Sequence, residues 1–285
     1  MDVSVNVDLN VGAVIENVRK LIEGIVPSIR LNSIINDAHE KNLLSLIENK
    51  DVDSFSKEVF LCNYKKMLYE AKNCDDILRN AIQLIEKESN PREPEVDWLE
   101  FFFDRAKIIS NDEIKEIWSK LLASEINKHG SVSKSLIHAI SIMSRDEAIA
   151  FCSICRYCMY DWKDIGIKHP FIFYSQNVKA YTKLSHSSLK ALDNHGIIEY
   201  LPKDEFVFNK KKVVRYGNNA IEIRGDSKNE DKILSGNICL TKDGQTLFEI
   251  VGNEFKEYRK DILDFFIEAM YKRNCTVKIN DIIVT

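Results

Sequence analysis

Between Asp97 and Tyr157 the chain marks the starts of three helices almost residue by residue, and this limits the fold more than any other feature. Asp97-Trp-Leu-Glu100, Ser110-Asn-Asp-Glu113 and Ser144-Arg-Asp-Glu147 each set a small oxygen-bearing residue three positions ahead of a glutamate. At that spacing each side chain satisfies the other's backbone N–H, one of the donors that a helix's first turn leaves without an internal partner. Apolar residues at helical spacing follow each start: Trp98, Phe101, Phe102 and Ile109, then Ile114, Ile117, Trp118, Leu121, Leu122 and Ile126. Leu136, Ile137 and Ile140 form a third stripe, ended by Ser144, and Gly130 supplies a helix stop. Connections this short favour antiparallel neighbours in a bundle.

The flanking regions differ in kind. Residues 11–26 read as an amphipathic helix in which Val11, Val14, Ile15, Val18, Leu21, Ile22 and Ile25 repeat at heptad spacing before Pro27. Three readings fit that stripe: packing on the chain's own second helix, contact with a second subunit, or a helix lying on a membrane. The last wants a basic polar face, and Glu16, Arg19, Lys20 and Glu23 are mixed. Further helices are expected over residues 29–49, from Asp53 to about Ala71, and over 75–88. Ser89-Asn-Pro-Arg-Glu-Pro-Glu-Val96, with two prolines and no apolar periodicity, reads as a linker dividing the chain near residue 92.

After about Ile165 strand-like pieces enter. A helix over Ser185–Asn194 stops at Gly196 and leads into Ile197-Ile198-Glu199-Tyr200. Val213–Tyr216 and Ala220–Ile223 flank a Gly217-Asn-Asn219 turn as a hairpin. Ile238-Cys239-Leu240 follows as a strand, and Thr241 caps a short helix beginning Lys242-Asp-Gly-Gln. This order of helix, glycine, strand, ribbon, strand and helix is that of a winged-helix module. A last amphipathic helix over 254–272 and an alternating strand from Thr276 to Val284 close the chain.

Composition narrows the function. At 285 residues and 45% hydrophobic the chain can bury more than one core. Its formal net charge of −4 argues against a free-standing nucleic-acid binder, because phosphate neutralisation supplies most of such affinity, although a local basic patch is compatible with it. There is no leader-like N-terminus and no apolar run long enough to span a membrane, so a cytoplasmic setting is expected; seven scattered cysteines fit reduced thiols.

The candidate chemistry is thin. Cys152-x-x-Cys155-x-x-Cys158 winds around a helix without converging and lacks a fourth ligand, so the thiols read as core rather than as a metal or redox site. The six histidines form no helical ligand pair. Ten glycines, none clustered, leave no backbone cradle for a nucleotide, so no cofactor is expected. Asp204 and Glu205 near Lys210–Lys212 resemble a metal nuclease's acids only superficially. Lys210, Lys211, Lys212 and Arg215 would decorate a wing, with Lys183 and Lys190 on or beside the preceding helix, as possible nucleic-acid contacts. That helix offers few groups to base edges, so a protein-docking role stands beside the DNA-binding one.

The residues Trp98-Leu, Phe101-Phe, Ala106-Lys, Trp118-Ser-Lys-Leu-Leu-Ala-Ser-Glu-Ile126, His129-Gly-Ser-Val-Ser133 and Met143-Ser-Arg-Asp-Glu-Ala148 together resemble the bacterial domain-of-unknown-function 2806 family. Leu240-Thr-Lys-Asp-Gly-Gln-Thr-Leu-Phe248 fits the same pattern, and the resemblance covers roughly residues 95–255. Trp118–Ala123 and Ser144–Ala148 are also similar to abortive-infection alpha-type proteins. Ser124 and Lys128-His129 stand where that pattern has a glycine and a proline. The resemblance implies a prokaryotic setting and a place in phage defence, and carries no catalytic residue onto the chain.

The expected fold is therefore mainly α with a smaller α+β part. It runs as an N-terminal helical region (1–90), a capped helical bundle (91–165), a winged-helix-like α+β domain (166–252) and a closing helix and strand (253–285). The expected function is a non-enzymatic interaction or sensing component of an anti-phage system. Such a component docks through the 11–25 stripe and the Trp98–Phe103 aromatics to a protein partner or to itself as a homo-oligomer. The alternative is a DNA-binding transcriptional regulator; a metal-dependent nuclease is the residual.

Overall fold

The structure is a computed structural model that describes residues 3–25, 44–45, 47–49, 51–86, 91–161, 167–170, 184–209, 211–217, 219–225, 232–234, 236–251 and 259–281. It is mainly helical with smaller antiparallel sheets. Two compact units divide the chain, Met1–Ile137 and His138–Thr285.

The first unit is all helix. Helix α1 (Val3–Ile25) buries Val14, Val18 and Ile22 and lies beside α3 (Val96–Ala106). Helix α2 (Ser54–Gln83) is capped by Asp53, whose carboxylate accepts from the Ser56 N–H. It is one continuous helix where the sequence suggested two. Nothing between Ala71 and Asp75 breaks it, and Asn73, the polar residue in that gap, is buried with its amide donating to the Lys107 carbonyl at 2.9 Å. Helix α4 (Asp112–Asn127) packs along α2. The proline segment is packed rather than open: Pro91 and Pro94 are buried and the Arg92 N–H donates to the Ile126 carbonyl. Helix α5 (Lys134–Ile142), started by Ser133, contains the point where the two units divide. The expected helix over 29–49 lies almost wholly outside the described residues.

Of the three expected capping boxes, only Ser144/Glu147 forms, at the start of α6 (Arg145–Cys155). At α4 the cap is Asn111, one position later than Ser110, because an asparagine directly before the helix caps at least as well as a serine. At α3 the helix begins at Val96, placing Asp97 inside the first turn, where it accepts from Lys134 at 2.6 Å.

The second unit mixes helices and sheets. Chain direction reverses after Cys155, so Cys158 opens strand β1 (Cys158–Asp161) instead of continuing the helix; β2 (Ile167–Pro170) pairs with it. Helix α7 (His186–Asn194), capped by Ser185, leads through Gly196 at φ 71° into β3 (Ile198–Tyr200). Strands β4 (Val207–Asn209), β5 (Lys211–Tyr216), β6 (Asn219–Arg224), β7 (Lys232–Leu234) and β8 (Ile238–Leu240) follow. β3 pairs with β8 and β4 with β7, both antiparallel. Thr241 caps α8 (Lys242–Val251) as expected, its hydroxyl accepting from the Gly244 N–H. Gly244 is needed there, since a Cβ would overlap the Ile197 carbonyl oxygen. Helix α9 (Lys260–Lys272) and β9 (Thr276–Asp281) complete the described chain.

The β5–β6 hairpin, expected as a projecting wing, is the middle of a five-stranded sheet ordered β2-β1-β5-β6-β9. The closing strand joins that sheet against β6. Alternation then sorts the side chains by face. Val214, Tyr216, Ile221 and Ile223 are buried on one side; Lys211, Arg215, Arg224, Thr276 and Lys278 are exposed on the other.

Candidate functional site

The motif residues of the first unit spend their chemistry on the backbone. The Glu125 side chain, 3% exposed, accepts from the Gly130 N–H at 2.6 Å through one oxygen and from the Val132 N–H at 2.8 Å through the other. The Trp98 indole donates to the Val132 carbonyl at 2.8 Å, and Ser131 donates to the Ser124 carbonyl. These bonds hold the turn between α4 and α5, where Gly130 takes φ 74°, a conformation that L side chains avoid. Trp98 stacks on Phe102, and Trp118 meets Phe102 edge-on, each with ring centroids about 5 Å apart. The aromatic run expected as a docking surface is therefore internal: Trp98, Phe102 and Phe103 are buried, and the half-buried Phe101 lies under the Arg105 guanidinium at 3.4 Å. Trp118 Nε1 is buried with no hydrogen-bond partner among the described residues.

A cleft of about 390 Å³ between α2 and α4 is lined by Lys72, Asp76, Arg79, Asn80, Asp112 and Lys115. The buried Lys115 donates to Asp76 at 2.7 Å, and Arg79 pairs with Asp75 at 2.7 Å. Acids and bases there largely answer one another, which leaves little net field for a charged ligand.

The expected self-association stripe is partly consumed. Val14, Val18 and Ile22 are buried in the first unit, with Ile15 and Leu21 half-buried at its margin; the side chains of Val11 and Ile25 lie outside the described residues. The three cysteines are split between α6 and β1. Burial pushes the thiols of Cys155 and Cys158 well up, keeping them protonated, and Cys152 is half-buried. Among the described residues no group of three or more His, Cys, Asp or Glu is placed to hold a metal. Glu205, a residue of the nuclease-like set, instead accepts two hydrogen bonds from Arg273, at 2.7 and 3.1 Å. His186 meets the Tyr200 hydroxyl at 3.1 Å, and His195 lies 3.3 Å from Glu147.

The basic residues separate by strand parity. Lys183 and Lys210 lie outside the described residues. Lys190 is exposed on α7, which presents no other Lys or Arg. Lys212 shares its face with Val214 and Tyr216 and is half-buried. Lys211 and Arg215 remain on the open face. Register brings two cations to them that no local pattern marks. Arg224 sits directly opposite Lys211, and Lys278 directly opposite Glu222 on the far strand. Glu222 is the one carboxylate among the described open-face positions of β5, β6 and β9; Lys211 and Arg224 (2.7 Å) both bond to it, and those bonds hold its carboxyl below the usual glutamate range. Arg215 Nε donates to the Gly217 carbonyl at 3.0 Å. Two cations thus bond to one carboxylate, Lys278 stands opposite it in register, and Arg215 lies on the same exposed face.

No helix of the described residues is long and apolar enough to cross a membrane. A family model described as a protein of unknown function (DUF2806) matches residues 63–263, and the chain belongs to that family. No curated protein and no solved structure matches the chain.

Proposed function

We propose that this chain is a non-enzymatic binding component that holds nucleic acid by its phosphate backbone on the open face of the five-stranded sheet. The observation that carries the reading is the placing of Lys211, Arg215, Arg224 and Lys278 on the one sheet face that also carries Glu222. A net negative chain that concentrates cations on one face has the local field that a polyanion needs, whatever its global charge. The surface presents point charges rather than a helix aimed into a groove, so affinity comes from phosphate neutralisation and sequence discrimination is weak. This differs from the regulator reading, which uses a wing beside a DNA-reading helix; with Lys190 as its one Lys or Arg, α7 offers little to base edges.

The test is binding of fluorescent single-stranded and duplex DNA and RNA across a salt series. Four phosphate contacts give a log–log slope of about −3.6 on duplex DNA and about −2.8 on single strands, and each of Arg215→Gln, Arg224→Gln and Lys278→Gln flattens it by just under about 1. No binding at low salt, or a slope that ignores all three variants, rejects the reading. The setting we infer is anti-phage defence, supported by the resemblance of Trp118–Ala123 and Ser144–Ala148 to abortive-infection alpha-type proteins. Equal plating of a phage panel on cells with and without the gene removes that part alone.

A further inference from the structure

Register fixes the open face of β5, β6 and β9 as a grid of three rows. Lys211, Arg224 and Thr276 make the first row, Val213, Glu222 and Lys278 the second, and Arg215, Ala220 and Asn280 the third. Neighbours on this face stand about 6.8 Å apart along a strand and about 4.8 Å apart across strands. The two ends of the grid differ. Lys211 and Arg224 bond to Glu222, and Lys278 stands directly opposite that carboxylate, so three cations and the acid share the first two rows. Arg215 stands apart from them. Its neighbour along the strand on this face is Val213 and its neighbour across is Ala220, both half-buried and so reachable from solvent. Its guanidinium is also restrained beside them, with Nε donating to the Gly217 carbonyl at 3.0 Å.

A duplex laid on a flat face presents phosphates, because its paired bases are stacked away from that face, and Val213 and Ala220 would then be idle. An unpaired base can lay its ring on an apolar floor and stack against a guanidinium plane. We infer, resting on the nucleic-acid reading above, that this sheet face selects single strands over duplex. Phosphates meet the end formed by Lys211, Arg224 and Lys278, and one unpaired base lies on Val213 and Ala220 against Arg215. Arg215 serves both halves: the plane of its guanidinium meets the base while its charge meets the adjoining phosphate.

Charge alone gives the opposite preference. Duplex DNA carries one charge per about 1.7 Å of axis, against about 3.4 Å for each of its strands, so a bare patch of cations binds duplex more tightly. The sign of the preference therefore separates the two accounts. The full chain is titrated, at one low salt concentration, into three fluorescent DNA probes of equal length: a mixed-sequence single strand, its duplex, and an abasic single strand. The base-bearing single strand should bind about tenfold more tightly than either of the others, the effect of one stacked base. Val213→Lys removes the floor and adds a cation, so duplex binding should tighten and the preference should vanish. Val213→Thr keeps a β-branched residue in the strand and should weaken single-strand binding about threefold, even if Val213→Lys disturbs the sheet. Duplex or abasic strand binding as well as the base-bearing strand, or a preference that survives both Val213 variants, overturns this inference and leaves the nucleic-acid reading standing. Binding of none of the three probes removes that reading and this one with it.

Discussion

The turn after α4 and the open face of the five-stranded sheet both gather polar side chains, and they use them in opposite ways. In the turn, Glu125, Trp98 and Ser131 face inward and each meets a backbone group. On the sheet, Lys211, Arg215, Arg224 and Lys278 face outward, and the one acid among them answers only part of their charge. Buried polar groups must be satisfied internally because their desolvation is otherwise uncompensated, so a fully satisfied network is evidence of architecture. Cations in excess on an exposed surface carry no such obligation. They add little to stability, which makes them the better place to look for a partner.

The comparison breaks most easily at Glu125. Its two oxygens each accept from a different backbone N–H, so Glu125→Gln, although nearly the same shape, turns an amide NH2 toward one of those donors. A buried donor left facing another donor costs about 2 kcal/mol, which lowers Tm by roughly 6 °C. Calorimetry or thermal circular dichroism reads this directly, and an unchanged Tm would mean that the turn does not depend on the carboxylate. The sheet should answer in the opposite sense. Glu222→Gln leaves Tm nearly unchanged and tightens nucleic-acid binding, because it removes the only negative charge of the set and releases Lys211 and Arg224. Acid acts in the same direction. Glu222 titrates below its ordinary range, so it stays charged at neutral pH, and its ion pairs are lost as pH falls through that lowered value. Wild-type affinity should therefore rise with acid in this range by more than that of Glu222→Gln; equal pH profiles would detach Glu222 from the binding surface.

What could be read beforehand follows the range of the interaction. The Ser144 box was legible because both partners sit within one helical turn. Ser110 lost its role to the adjacent Asn111, a competition between two good caps that spacing alone does not settle. Asp97 lost its role to Lys134, far along the chain. The apparent break in α2 was misleading for a similar reason: Asn73 is poorly placed in an isolated helix, yet its amide finds the Lys107 carbonyl once α3 is packed beside it. Of the nucleic-acid candidates, Lys211 and Arg215 stayed on the open face, Lys212 turned to the other, and Arg224 and Lys278 came unannounced.

The order of residues alone determined that Ser144 and Thr241 start helices and that the 213–223 segment is a hairpin, since these depend on neighbours a few positions apart. Only the tertiary structure decided that the hairpin lies inside a sheet and which cations share its surface. Strand pairing joins segments with no local signal between them, and a shift of one residue in register would send each side chain of a strand to the opposite face.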